Sequence, residues 1–152
     1  MESADMVQLL RRVRHDYGNH LQVIMSYIDL GRHEMAKKYI VSVAEQAASE
    51  RALFEQAPPQ VALYLYNQML AARDLGIILE YNEIKTDSID PLLLNGQPGQ
   101  ALKDLSKKLA KFGDDEDYAT VTLSIYQEGN SCRLVFTSKY LPESPYESRV
   151  TA

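Results

Sequence analysis

The sequence predicts an α+β chain: an N-terminal helical hairpin that pairs with a second copy into a dimeric four-helix bundle, followed by a small α/β sandwich. Three observations predict it. Apolar residues recur at spacings of three and four over the first fifty residues, two adjacent prolines, Pro58 and Pro59, interrupt the helical pattern, and beyond them helical and alternating stretches take turns. The boundaries that follow are 1–57 for the hairpin and 58–152 for the α/β part.

The first helix is capped by Ser3 or Asp5, and Asp5 with Gln8 three residues on resembles a capping box. Leu10, Val13, Tyr17, Leu21, Ile24 and Ile28 form one stripe along it. Gly31 stops the helix, because glycine is the residue best suited to the left-handed position just past a last turn, and Arg32 and His33 complete the turn. A second helix runs from His33 to Phe54 with Ala36, Ile40, Val43, Ala47 and Phe54 on one stripe. Two helices joined by so short a turn lie antiparallel. A lone hairpin has no third element to cover its apolar stripes, so a homodimer is expected.

After the prolines, Val61, Leu65, Met69 and Ala72 mark a third helix that Gly76 closes, and 77–84 alternates as a strand. Residues 87–99 read as an irregular connection, with 95–99 a surface loop. Leu102, Leu105, Leu109 and Phe112 make an amphipathic helix stopped by Gly113, and Asp114 to Asp117 read as a solvated loop without calcium-loop spacing. Two alternating strands, 119–126 and 132–137, flank Gly129 as a hairpin. Residues 141–152, polar and proline-bearing, read as a partly ordered tail.

Composition narrows the function. No apolar run is long enough to span a membrane, and no basic stretch followed by an apolar core marks a secretory leader, so a cytoplasmic protein is expected. The single cysteine, Cys132, leaves no internal disulfide or cysteine metal cluster. A net charge of -5 disfavours direct nucleic-acid binding, which needs a basic face. The hairpin itself is close to neutral, so nearly all the acidity lies beyond it.

The stretch from Arg14 to Gln22, Arg-His-Asp-Tyr-Gly-Asn-His-Leu-Gln, carries the chemistry. With Leu10, Tyr17 and Ile24 at heptad position a, His20 falls at d beside the seam and His15 at f, facing water. Arg11, Arg12 and Arg14 surround His15 with positive charge that suits a partner with an acidic pocket. His33 is a turn residue without chemistry.

This motif resembles the phosphoacceptor segment of the sporulation initiation phosphotransferase B family of bacilli, which is shared with some sensor histidine kinases. The resemblance covers the first third of the chain. It implies that His15 is the phosphoacceptor, that Asp16 and Asn19 hold the places of the acidic and amide neighbours, and that His20, Leu21 and Gln22 close the motif. Arg12 and Asn19, one turn from His15 on either side, are placed to meet phosphate or partner. Asp16 stands either as an orienting carboxylate or as a solvated one, and His20 as a structural histidine. The C-terminal layout resembles the ATPase domain of histidine kinases in degenerate form: the helix from Ala101 has no asparagine, and neither Asp-x-Gly-x-Gly nor Gly-x-Gly occurs. The implied function is a phosphorelay phosphotransferase that takes a phosphoryl group from one response-regulator aspartate and passes it to a second regulator in sporulation control. It would bind no ATP and no cofactor of its own, with Mg2+ supplied by the regulator. Two alternatives stand beside it: an ATP-dependent histidine kinase or fragment, and a non-catalytic dimeric scaffold that sequesters a kinase or regulator.

Overall fold

The computed structural model describes residues 2–109, 118–141 and 144–151. The chain divides into two compact units, Met1–Arg51 and Ala52–Ala152.

The first unit is the helical hairpin, α1 (Ser3–Asp29) and most of α2 (His33–Gln56). Gly31 sits at φ 72 in the turn, and the backbone N–H of Arg32 donates to Tyr27 O at 2.8 Å, closing the end of α1. The start of α1 differs from expectation. Glu2 is the N-cap and makes no side-chain cap bond, while Ser3 and Asp5 lie within the first turn. Asp5 thus acts there only through its charge near the positive end of the helix. His33, expected in the turn, is the first residue of α2.

The stripe on α1 divides in two. Leu9 is buried, and Val13, His20, Val23, Ile24 and Tyr27 are half-buried, whereas Leu10, Tyr17, Leu21 and Ile28 are exposed. On α2 the inward side is Ala36, Tyr39, Val43 and Gln46, while Ile40 and Ala47, expected in one stripe with Ala36 and Val43, are exposed. One hairpin therefore covers only half of its apolar arc. The physical reason is width: the apolar residues of α1 span more of the helix circumference than a single antiparallel neighbour can cover.

The second unit is built on a four-stranded sheet of order β1-β2-β3-β4, with β1 Ile77–Lys85, β2 Ala119–Glu128, β3 Ser131–Thr137 and β4 Tyr146–Thr151. The β1–β2 pair is parallel and the other two pairs are antiparallel. Alternation sends Val121, Leu123, Ile125, Leu134 and Phe136 to a fully buried face. The last turn of α2, α3 (Pro59–Arg73) and α5 (Gly99–Leu109) supply Leu53, Leu65, Leu102 and Leu105 to the same core.

Three expectations are corrected here. The connection 87–99 holds a short helix, α4 (Asp90–Leu94), whose one turn is too brief to leave a periodic trace. Its continuation is not a surface loop: Gln97 and Pro98 are buried, the Ala101 N–H donates to Gln97 Oε1 at 3.1 Å, and the Tyr64 hydroxyl donates to the Gln97 carbonyl. The polar side chain is tolerated inside because it completes an orphan donor at the start of α5. The C-terminal segment, expected as a tail, forms β4, pairing Cys132 with Val150 and Phe136 with Tyr146. Phe112, Gly113 and the run Asp114 to Asp117 lie outside the described residues.

Candidate functional site

The candidate site is the exposed side of α1 around His15. The helix carries this residue with 74% of its side chain open to solvent, and two neighbours on the same helix address the ring. Asp16 Oδ1 lies 3.6 Å from Nδ1, and Asn19 Nδ2 lies 3.3 Å from the same nitrogen. Both approach Nδ1, and no described residue forms a hydrogen bond or ion pair with Nε2. The i+4 spacing of Asn19 brings it over the ring from the next turn. Asp16 is more enclosed, its side chain 30% exposed.

These two neighbours ask for different tautomers. An amide N–H directed at Nδ1 needs a lone pair there, whereas a carboxylate needs an Nδ1–H. An amide side chain can turn its oxygen toward the ring with no other change of geometry, so both neighbours are compatible with the Nδ1–H tautomer. In that tautomer Nε2 holds the free lone pair and points away from both neighbours.

The remaining motif residues divide by position. Arg11, Arg14, Asn19 and Gln22 are exposed and Arg12 is half-buried. Of the set Arg11, Arg12, Arg14, Asp16, Asn19 and Gln22, contacts to the His15 ring come from Asp16 and Asn19. Arg11 and Arg14 have no side-chain partner among the described residues, so their charge is available at the surface. Gln22 takes part through its backbone carbonyl, which accepts from the Ser26 hydroxyl at 2.9 Å.

His20 is in a different environment, half-buried with Nδ1 2.7 Å from the Tyr39 hydroxyl of α2. The two rings are 5.7 Å apart and tilted, and Tyr27 stands 6.3 Å from Tyr39. Burial, with a smaller effect from Tyr27, raises the Tyr39 phenol above its ordinary value, so the hydroxyl is neutral near pH 7, and the imidazole tautomer sets which of the two atoms donates. Heptad phase turned His20 inward but did not reveal Tyr39 as its partner. The available signal was the three-residue step from Ala36 to Tyr39 on the inward side of α2.

The second unit offers a cavity of about 250 Å³ beside α3 and α5, lined among others by Gln68, Asp74, Gly99, Leu102 and Lys103. It is below the size range usual for drug-sized ligands, and its wall is largely apolar. No cluster of His, Cys, Asp or Glu that could hold a metal ion occurs among the described residues. No described helix is long and apolar enough to cross a membrane.

Among known proteins, residues 1–56 match the family model described as sensor kinase SpoOB-type, alpha-helical domain. No curated protein matches the chain.

Proposed function

We propose, from the match of residues 1–56 to the model of a sensor kinase SpoOB-type alpha-helical domain, that the chain is a phosphorelay phosphotransferase that acts through His15 in control of sporulation. The observation that carries this reading is the His15 ring itself: wide open to solvent, with both neighbours gathered at Nδ1 and Nε2 left to an incoming reactant.

The chemistry follows from that arrangement. A phosphorylated response regulator brings its aspartyl phosphate in line with Nε2. The Nε2 lone pair attacks phosphorus, the N–P bond forms as the acyl O–P bond breaks, and the electron pair leaves with the regulator's carboxylate. The ring keeps its Nδ1 proton and becomes cationic, which the carboxylate of Asp16 stabilises. Transfer to a second regulator is the same step reversed, its aspartate oxygen attacking the phosphoimidazole. Arg11, Arg12 and Arg14 favour the approach of an acidic receiver surface. A Mg2+ ion held by the regulator would supply the charge that neutralises the phosphoryl oxygens.

Two further features belong to the proposal. The exposed stripe of Leu10, Tyr17, Leu21 and Ile28 is covered by a second copy, giving a four-helix bundle with one His15 on each side. The phosphoryl group comes from a protein and not from ATP, since the sequence lacks glycine-rich aspartate loops and the α5 helix lacks an asparagine. This unit is then a degenerate relative of a kinase ATPase domain.

Incubation with a regulator carrying labelled aspartyl phosphate tests the reading. Acid-labile label should pass to the wild-type chain and not to His15→Gln, whose circular dichroism and sedimentation should be unchanged. Label retained on His15→Gln, or a wild-type chain that takes none, refutes it.

A further inference from the structure

The sheet of the second unit ends on β1, and an end strand points alternate backbone N–H and C=O groups out of the sheet. Such an edge accepts a further strand from another chain unless something blocks it. The composition of β1 suits that kind of pairing: Ile77, Ile78, Tyr81 and Ile84 favour strands, and its 9 residues include no proline. Charge protects it little, since Glu83 and Lys85 pair with each other at 3.0 Å.

Gln56 meets this edge. Its side-chain Nε2 donates to the Asn82 carbonyl at 3.3 Å, and its Oε1 accepts from the Ile84 N–H at 3.4 Å. These partners fix the orientation of the amide, because the reverse would set oxygen against oxygen and N–H against N–H. In a parallel ladder, a residue of the neighbouring strand bonds the C=O before and the N–H after the residue that it faces. Gln56 makes that pair of bonds around Glu83 with one side chain. The Glu83 N–H points the other way, to the Ser124 hydroxyl of β2 at 3.4 Å, so Gln56 lies on the open side of the strand. It does so where the register with β2 shifts, between Tyr81 and Ile84. The amide is held in place by its own helix. Gln56 is the last residue of α2, Leu53 one turn back is buried in the core, and the Ala57 N–H donates to the Leu53 carbonyl at 3.2 Å. Gln56, Leu53 and β1 all belong to the second unit.

The charges on β1 indicate which strand would otherwise add there. Antiparallel pairing of two β1 strands centred on Ile84 sets Glu83 of each chain opposite Lys85 of the other, a self-complementary arrangement about a two-fold axis. Such a pairing needs the Ile84 N–H that Gln56 holds. We propose that Gln56 is a strand mimic: its amide takes the backbone groups that β1 of a second copy would pair with, and so closes this edge of the sheet. The closure lasts as long as the last turn of α2 is wound.

Two variants of the full chain test this. Gln56→Ala removes the side chain, and Gln56→Met keeps its length without the amide; neither replacement disfavours a helix. In both, the Ile84 amide should exchange with deuterium at least tenfold faster than in the wild-type chain at about 50 µM protein, as read by nuclear magnetic resonance. Raising the concentration to about 1 mM should restore that protection and give, in sedimentation, a species larger than the wild-type one. Exchange within twofold of wild type in both variants overturns the proposal. Fast exchange in Gln56→Ala alone does so too, since it would make Gln56 a steric cover and not a hydrogen-bonding mimic. Exchange that stays fast at the higher concentration, or slows without a larger species, shows an open edge that takes no second copy and likewise overturns it.

Discussion

The His20–Tyr39 pair gives a stability prediction whose size can be worked from geometry. Removing the Tyr39 hydroxyl as Tyr39→Phe keeps the ring, its tilted contact with His20 at 5.7 Å and its place beside Tyr27, and deletes only the 2.7 Å hydrogen bond. A hydrogen bond of this kind contributes about 1 kcal/mol net, and His20 loses its partner in a half-buried setting, so Tyr39→Phe should cost about 1 to 1.5 kcal/mol. His20→Ala removes the hydrogen bond and the ring pair together, for about 2 kcal/mol. In the double variant the hydrogen bond is lost once, so the coupling energy should be close to 1 kcal/mol. Urea unfolding followed by far-ultraviolet circular dichroism, at one protein concentration because a dimer makes the midpoint concentration-dependent, reads these differences. With a slope of about 2 kcal/mol per molar urea, Tyr39→Phe should move the midpoint down by about half a molar. Additive single effects, with coupling below about 0.3 kcal/mol, would show that the hydroxyl and the imidazole do not stabilise the hairpin through each other.

Leu21→Glu, on the exposed apolar stripe, should convert the proposed dimer to monomer at micromolar concentration, since it places two charges in a closely packed seam. Sedimentation equilibrium with an unshifted dimer would remove α1 from the interface. In the second unit the buried Tyr81 hydroxyl donates to the Leu65 carbonyl at 2.7 Å, and burial, with a smaller effect from Tyr64, raises its phenol well above the ordinary value. The unfolded chain ionises first, so this stabilisation is complete below the ordinary tyrosine value of ~10 and is lost as pH rises from there through the raised value of the folded state. Tyr81→Phe should cost about 1 kcal/mol at pH 7 and flatten the alkaline fall in stability, and an equally steep fall in the variant would refute the assignment.

How much of this was legible in the sequence depends on the length over which each signal repeats. Helices α1 and α2 extend over 27 and 24 residues, so their periodicity accumulates, and Gly31 marks the break between them. The alternation of β2 and β3 is equally plain, since Val121, Leu123 and Ile125 of one strand and Cys132, Leu134 and Phe136 of the other go to one side. The missed elements are short or polar. Five residues of α4 cannot establish a period, and β4 presents Tyr146, Ser148 and Val150 toward the core side, with Val150 alone buried among them, between a proline and the end of the chain. Burial of Gln97 could not be read from its type, because the donor that it satisfies belongs to the start of a helix four residues later.

The site itself was legible for a different reason. Its geometry lies within one helix, so residue number alone fixes which side chains share the His15 surface: Asn19 one turn on, Asp16 beside it, Arg11 and Arg12 one turn back. What residue number does not fix is which part of a broad apolar arc a neighbour covers. The adjacent pairs Leu9 and Leu10, and Tyr27 and Ile28, look interchangeable as sequence, yet one member of each is buried or half-buried and the other is exposed. The two apolar surfaces, about 100° apart on one helix, are the ones that the proposed bundle would use, each helix meeting two neighbours. The same arithmetic puts His15 on the third side, clear of both, where a phosphate can reach the ring without being buried.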